Sequence, residues 1–432
     1  MAFFSRVVTR SAGGHATALV RPLTEPRFRL QFAAQATSVV GDYMVPVALA
    51  FAVFSLDSSP SALGVVLAAY SASLVVFVPI GGVWADRLPR NRVMVAADVA
   101  RFAAQGVAAA LLVTGVAEVW MLAALQILVG AATALFRPAS TGLTPQTVSA
   151  EHLQQANALL SLSTSLAGIA GPVIAGVIVA TVGPGWALAA DSATFVASAA
   201  FLLRIGPLPQ TAEPRRRFFH ELADGWREVR TRAWVWVSIL GFMSFQLLVL
   251  ATVFVLGPLV ANRSLGGARD WAVIAGALGA GSLVGDVVAL RFEPCRPLVA
   301  SRFATLAVAP LLVLLGVESS VVVLALAAVA AGFAFTFPDT LWYTALQENV
   351  PASSLSRVSS YDWMGSAGLR PIGYALVGPV AEGIGIRATF ILAASLVVAV
   401  ELGTLAVPSV RALRAGRARA RPLAAPELEG VA

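Results

Sequence analysis

The sequence contains no lysine, and all 30 of its basic residues are arginine. A phosphate-binding P-loop needs a lysine, and so does a Schiff-base catalyst. ATP handling of the P-loop kind is therefore excluded, and any work this chain does must draw on a gradient or a partner. There is a single cysteine, Cys295, which excludes an intramolecular disulfide and a thiolate metal cluster. The three histidines, His15, His152 and His220, fall outside the apolar runs. They read as loop residues rather than as a metal site, and no cofactor is expected. Met1 to Arg27 lacks the short apolar core and small-residue cleavage site of a signal peptide, so the first apolar run is expected to act as the insertion signal. Charge is scarce too, at 12% of residues, where soluble domains carry about a quarter.

What the chain has in abundance is apolar sequence, 58% of its 432 residues. The runs are too long, and alternate too little, to be barrel strands. A membrane-crossing helix needs roughly 20 apolar residues, and twelve candidates are present: 28–54, 61–84, 93–116, 119–136, 155–182, 186–203, 233–261, 271–290, 298–316, 321–337, 358–380 and 388–407. The fifth and sixth share a stretch without charge, divided by the helix-breaking "TVGPG" at 181–185. The fold class is all-α and polytopic, with twelve transmembrane helices in two six-helix bundles. The chain divides into an N-terminal segment 1–27, a bundle 28–203, a linker 204–232, a second bundle 233–407 and a basic tail 408–432.

Arginine placement sets the direction of the spans. With the N-terminus in the cytoplasm, the cytoplasmic segments hold Arg87, Arg90 and Arg92 after the second span, Arg215, Arg216 and Arg217 in the linker, and Arg291, Arg296 and Arg302 around the eighth-to-ninth link. The external links hold only Arg263, Arg269 and Arg387. Both termini are expected inside, at the plasma membrane. In the linker, Phe218, Leu222, Trp226 and Val229 recur at near-helical spacing, as in an amphipathic helix lying on the membrane. The tail arginines, Arg411 to Arg421, suit anionic lipid; nucleic acid is not an expected partner.

The link "GGVWADRLPRNRV", 81–93, is the most informative stretch. Its arginines are explained by topology alone, but Asp86 is not, because acids contribute little to orientation. The second half repeats the five-residue spacing of Arg87 and Arg92 in Arg291 and Arg296, with Leu290 at the place of Asp86. Two six-span halves related as parallel repeats are a transporter plan, with binding sites near the bilayer midplane between them.

These residues resemble the major facilitator superfamily. Gly82, Asp86, Arg87, Arg90 and Arg92 fit its signature loop between helices 2 and 3, with Pro89 replacing a second glycine. The stretch 136–176, ending in "GPVIAG", is similar to the helix 4–5 region of the drug-efflux-like branch, which includes macrolide and siderophore exporters; Ala175 stands where a glycine is usual. The stretch 357–385 resembles the matching region of the second half. The likeness runs from about Phe28 to Val407. It implies that Gly82, Asp86, Arg87 and Arg90 form a gating latch between the halves, with Asp86 facing the positive end of helix 11. It also implies that Gly171, Pro172 and Gly176 form a bendable exporter motif at an interface with helix 8. The arginine that many proton-coupled exporters carry in helix 4 is replaced here by Gln126.

Charges within spans are functional candidates by default. Asp42 in the first span and Arg370 in the eleventh both fall near mid-depth, at about 1.5 Å of rise per residue, and could pair across the halves or share a proton. Asp98 and Arg101 lie on one face of the third span and suit a local pair. Asp191 is a weaker candidate, and Asp286 and Glu401 are near enough to the helix ends to reach water. By resemblance, helices 1, 4, 7 and 10 line the cavity, offering Gln35, Gln126, Phe242, Phe245, Gln246, Phe333 and Phe335, of which Gln126 and Gln246 are the leading polar anchors. The expected protein is a monomeric secondary transporter that exports amphipathic small molecules by proton antiport. An importer of a small polar solute would want cavity charges that spans 4, 7 and 10 do not supply. A transport-dead sensor or scaffold remains the other alternative. An enzyme is not expected, because no His or Cys falls at membrane depth.

Overall fold

The computed structural model describes residues 20–206 and 226–415, except for 228, 351–357, 360, 363, 364 and 366 and the side chains of residues 82, 83, 85 and 86. The described residues are helical, without a strand. The helices are α1 (Pro26–Leu56), α2 (Pro60–Arg87), α3 (Arg90–Thr114), α4 (Val119–Thr147), α5 (Leu153–Val182) and α6 (Pro184–Leu203). The second half has α7 (Ala233–Ser264), α8 (Ala268–Ala289), α9 (Pro297–Gly316), α10 (Val321–Asn349), α11 (Arg370–Ile384) and α12 (Ile386–Ala406). Eleven of these are long and apolar enough to cross a membrane. The eleventh expected span, α11, begins among residues that are only partly described. Starts and stops follow local chemistry. Proline opens α1, α2 and α6 within the first two positions, where its missing N–H has no helical partner to lose. Gly183, at a left-handed φ of 99°, breaks α5 from α6 as the Gly-Pro-Gly reading requires.

Two helices run further than hydropathy suggests. α4 continues past Phe136 to Thr147, and α10 past Phe337 to Asn349, so Arg137 and Asp339 are helical residues inside the bundle. α7 is interrupted by two π turns, Gln246–Leu250 and Thr252–Leu256, a wide geometry that often marks functional positions.

The packing differs at the two ends of the bundle. Toward the face away from the arginine-rich links, one apolar cluster runs through both halves, from Met44 and Leu63 to Leu256, Ile274, Leu311 and Phe390. Glycines permit this contact. An added Cβ on Gly64 would sit 2.3 Å from the Tyr374 carbonyl oxygen, and one on Gly378 would sit 2.5 Å from the Ser61 Cα, which places α2 against α11. α5 meets α8 similarly: a Cβ on Gly279 would lie 2.3 Å from the Gly168 carbonyl oxygen, and one on Gly176 would lie 2.2 Å from Ala272. Toward the arginine-rich face the cores separate. One joins Ala34, Met94, Leu143 and Leu202 of the first half, and another joins Val235, Trp342 and Val410 of the second. The halves are thus joined at one face and part toward the basic one.

Of the linker helix expectation, Phe218 and Leu222 lie outside the described residues. Val229 is buried in the second half's core, and the exposed Trp226 ring stands 5.8 Å from Tyr361. Tail residues 416–432 also lie outside. Near the start of α1, Glu25 accepts hydrogen bonds from the backbone N–H (2.9 Å) and hydroxyl (2.9 Å) of Ser149, and its carboxylate lies 3.0 Å from His152 Nδ1. The His152 contact first, and then Ser149, hold the Glu25 carboxyl below its ordinary range.

Two outcomes follow. Gly279→Ala drives a methyl into backbone and should lower stability by about 1–3 kcal/mol, read as a fall in melting temperature of the detergent-purified chain; Gly403→Ala, with nothing within 4 Å of its Cβ, should not. Glu25→Gln should lower the melting temperature at pH 7. A depressed carboxyl contributes stability above its unfolded value, about 4.3, and loses it as pH falls through the folded value. The gap between the two proteins should therefore narrow as pH falls below about 4.3; a gap independent of pH would show that the charge is not what matters.

Candidate functional site

In the first half, Arg101 of α3 is the hub. Its guanidinium is 1% exposed and donates to Asp98 one turn away, while Nη1 lies 3.5 Å from Asp42 Oδ1 on α1. Its Cζ stands 4.3 Å from the ring centroids of both Phe136 and Phe195, so it is held between two aromatic faces. Asp98 also accepts from the Ser198 hydroxyl at 2.7 Å. The expected Asp98–Arg101 pair is present. The possible Asp42–Arg370 pair is not: Asp42 has Arg101 as its partner, because α1 and α3 both pack on α6 and the long Arg101 side chain reaches across to α1. Asp98 is fully buried, whereas the Asp42 side chain is 43% exposed, although deep in the bundle; what it meets there is a cavity.

That cavity has a volume of 680 Å³, within the range of drug-sized sites, and Asp42, Tyr43, Arg101, Gln105, Gln126 and Arg137 line it. Gln35 and Arg370 face it as well. Gln126 sits in a buried relay: its Nε2 donates to Gln105 Oε1 at 3.0 Å, and Gln105 Nε2 donates to Asp191 Oδ2 at 2.9 Å. Asp191 Oδ1 has no hydrogen-bond partner, and a Cβ on Gly41 would lie 2.3 Å from it. The relay connects the cavity wall to a carboxylate sealed behind α1. Helices 2, 3, 5 and 11 join the expected lining helices.

The second half repeats the arrangement with different partners. Arg302 of α9 lies 3.4 Å from Glu401 of α12, both essentially buried, and its Cζ stands 4.8 Å from the Phe242 ring. This corrects two expectations. Arg302 is no loop cation, because α9 begins at Pro297 and carries it inward, and Glu401 turns to Arg302 rather than to water. Asp286 is partly exposed, as expected near a helix end, and also accepts from Ser165 of α5 in the other half at 3.2 Å. A second cavity of 300 Å³ lies here, faced by Phe242, Phe245, Gln246 and Phe335. Phe333 is not among its lining residues and instead stacks on Phe337 at 4.7 Å. Leu74, Arg137 and Arg370 line both cavities and form the wall between them. The charges that sequence reading missed, Arg137 and Asp339, sit one and two residues beyond the ends given to their spans.

Of the latch residues, Gly82 and Asp86 fall on side chains outside the described residues; their backbone continues α2. Arg87 is exposed, and Arg90 donates to the Gly142 carbonyl of α4, a contact within its own half. In the helix 5 motif, Gly176 meets α8, while Gly171 meets Tyr43 and Val40 of α1; Pro172 is buried between them.

Residues 17–429 match the family described as transmembrane secretion effector. The chain is similar to the enterobactin exporter EntS of Shigella boydii serotype 18 (strain CDC 3083-94 / BS512), at 26% identity over 372 residues, covering 83% of this chain and 88% of that protein. The enterobactin exporter EntS of Escherichia coli O1:K1 / APEC is similar to the same extent, at 26% identity over 83% of this chain and 88% of that protein. In fold the chain is similar to the nucleoside transporter NupG, with a TM-score of 0.71 at 12% identity over 88% of this chain and 98% of that one. It is also similar to a bacterial homolog of the human lysosomal transporter Spinster in an inward-facing, unoccupied conformation, with a TM-score of 0.65 at 14% identity over 90% of this chain and 96% of that one.

The Arg101 cluster makes an asymmetric prediction. Arg101→Met leaves Asp98 buried without its cation and should destabilise by about 3–5 kcal/mol. Asp42→Asn leaves the Asp98–Arg101 pair whole and should melt close to the parent. Equal losses in the two variants would show that Asp42 is structural.

Proposed function

The chain belongs to the transmembrane secretion effector family of major facilitator transporters, and from that premise we propose that it exports amphipathic small molecules by proton antiport. The observation that carries this reading is the largely apolar cavity with a few charged and polar side chains beside Asp42, in a bundle whose halves join at one face and separate at the basic face. The basic face is cytoplasmic by the arginine rule, which puts both termini inside and opens the cleft to the cell interior. The protein works as a monomer in the plasma membrane.

In this cytoplasm-open arrangement Asp42 is ionised, and Arg101 at 3.5 Å balances it. Substrate enters as the proton leaves. When the halves rock, the joined face opens and the basic face closes; Asp42 takes up a proton from outside, its hold on Arg101 weakens, and Arg101 remains with Asp98. Asp86, Gly82 and Arg87 latch the closed basic face, and the glycines along α5 let it slide on α8. The Gln126–Gln105–Asp191 relay stands where an arginine serves related exporters, and it offers a second proton acceptor without a cation of its own.

The test is efflux from cells expressing the chain, with enterobactin and the cationic dye ethidium as probes. Accumulation of at least one should fall several-fold, and an uncoupler should abolish the difference. Asp42→Asn should lose gradient-driven efflux by at least about ten-fold, or ~1.4 kcal/mol, yet still exchange labelled for unlabelled substrate across vesicles without a gradient. Efflux that ignores the uncoupler would remove proton coupling, and inward accumulation would reverse the direction.

A further inference from the structure

The second cavity carries chemistry that the antiport reading leaves unused. Asp339 of α10 and Asp362, eight residues before the start of α11, both face it. Among the described residues neither forms an ion pair; Asp362 is 3% exposed, and its Oδ1 has no hydrogen-bond partner. Glu401 also faces it but is matched by Arg302. The remaining wall is aromatic. Phe245 and Phe335 meet edge to face at 5.4 Å, and Phe242 stands 5.7 Å from Trp342, with Tyr343 beside them. The indole of Trp342 approaches the Asp362 carboxylate as a neutral donor and brings no positive charge. The cations of the cavity, Arg137 and Arg370, are confined to the wall shared with its larger neighbour.

We propose that this cavity is an organic-cation subsite, taking the ammonium or phosphonium group of an amphipathic substrate between Asp339, Asp362 and the ring faces of Phe242, Phe245 and Phe335. Aromatic faces attract a cation, most strongly where water is excluded. A buried carboxylate without a partner is costly until a counter-ion arrives, so a desolvated organic cation relieves a penalty that a neutral molecule cannot. A cation too large for coordination chemistry but bearing apolar groups uses both features, whereas an anion meets two like charges. Arg137 and Arg370 then mark the boundary: a substrate with both charges places its acidic end toward the first cavity and its basic end here. The class of substrate deepens the export reading and rests on it.

The experiment is equilibrium binding to the purified full-length chain, which needs neither transport nor a gradient, so its outcome stands apart from the efflux test. The probes are tetraphenylphosphonium and tetraphenylborate, near-identical in shape and opposite in charge, with empty micelles as background. Tetraphenylphosphonium should bind, and Asp339→Asn and Asp362→Asn should each weaken it at least ten-fold while leaving tetraphenylborate unchanged or tighter. Asp339→Glu should restore binding. Phe335→Ala, which removes no charge, should weaken the cation more than the anion and serves where an Asn variant does not fold. The proposal falls if the parent does not bind tetraphenylphosphonium. It falls if the substitutions weaken both ions alike, or if Asp42→Asn abolishes cation binding while the Asp339 and Asp362 variants keep it. Asn variants that bind the cation like the parent but lose gradient-driven transport would make these carboxylates proton carriers and also overturn it.

Discussion

A charge inside a membrane-spanning bundle must be matched or given water, because the surrounding hydrocarbon offers neither. Arg101 is the clearest case. One guanidinium is anchored to Asp98 on its own helix, clasped by Phe136 and Phe195 from α4 and α6, and left with one edge toward Asp42 on α1. Four helices are positioned by that residue, and Asp42 is the charged member of the cluster most open to the cavity. The buried pair gives the half its fixed geometry. The exposed acid gives it something that can change charge without dismantling the rest.

The two halves apply this constraint differently. Gly41 on α1 and Gly241 on α7 each make room for a charged side chain, Asp191 in one case and Arg302 in the other. In the first half the third-helix arginine has a same-helix acid and a second acid at the cavity. In the second half Arg302 has only Glu401, and both are sealed. The further acids that meet the cavity there, Asp339 and Asp362, come from other segments. An ancestral duplication would supply both halves with the same scaffold. What differs is which acid is exposed, and that difference gives the cleft two electrostatic ends.

Much of the fold was legible in the sequence, because span length and arginine placement are direct consequences of bilayer thickness and translocation. The Asp98–Arg101 pair was legible too, from helical spacing alone. Two misplacements share one cause. Ending a span at its first charge cut α4 before Arg137 and α10 before Asp339, yet these helices continue where one face borders a cavity rather than lipid. Arg302 counts with the cytoplasmic link by its charge although it falls inside the ninth span, 298–316, because the arginine rule does not weigh its depth from the helix end. The partner of Asp42 was beyond reach, since depth in the membrane does not say which neighbour shares it; what decides for Arg101 over Arg370 is that α1 and α3 pack on the same helix, α6. The latch at Gly82 and Asp86 is still a reading of the sequence, because their side chains lie outside the described residues.

The placement of the charges also bears on how one transporter could take molecules of varied shape. Hydrogen-bonding sites built for one solute reject an analogue by leaving buried polar groups unpaired. Here the charged groups Asp42, Arg137, Arg370 and Asp339 border open cavity, and the walls between them are largely aromatic and aliphatic. Apolar walls discriminate weakly by shape, so charge at either end of the cleft becomes the main selector. Arg137 and Arg370, with Leu74 between the cavities, keep the acidic ends apart. A substrate that bridges them would contact both halves at once, and the halves could not rock without altering its hold on each.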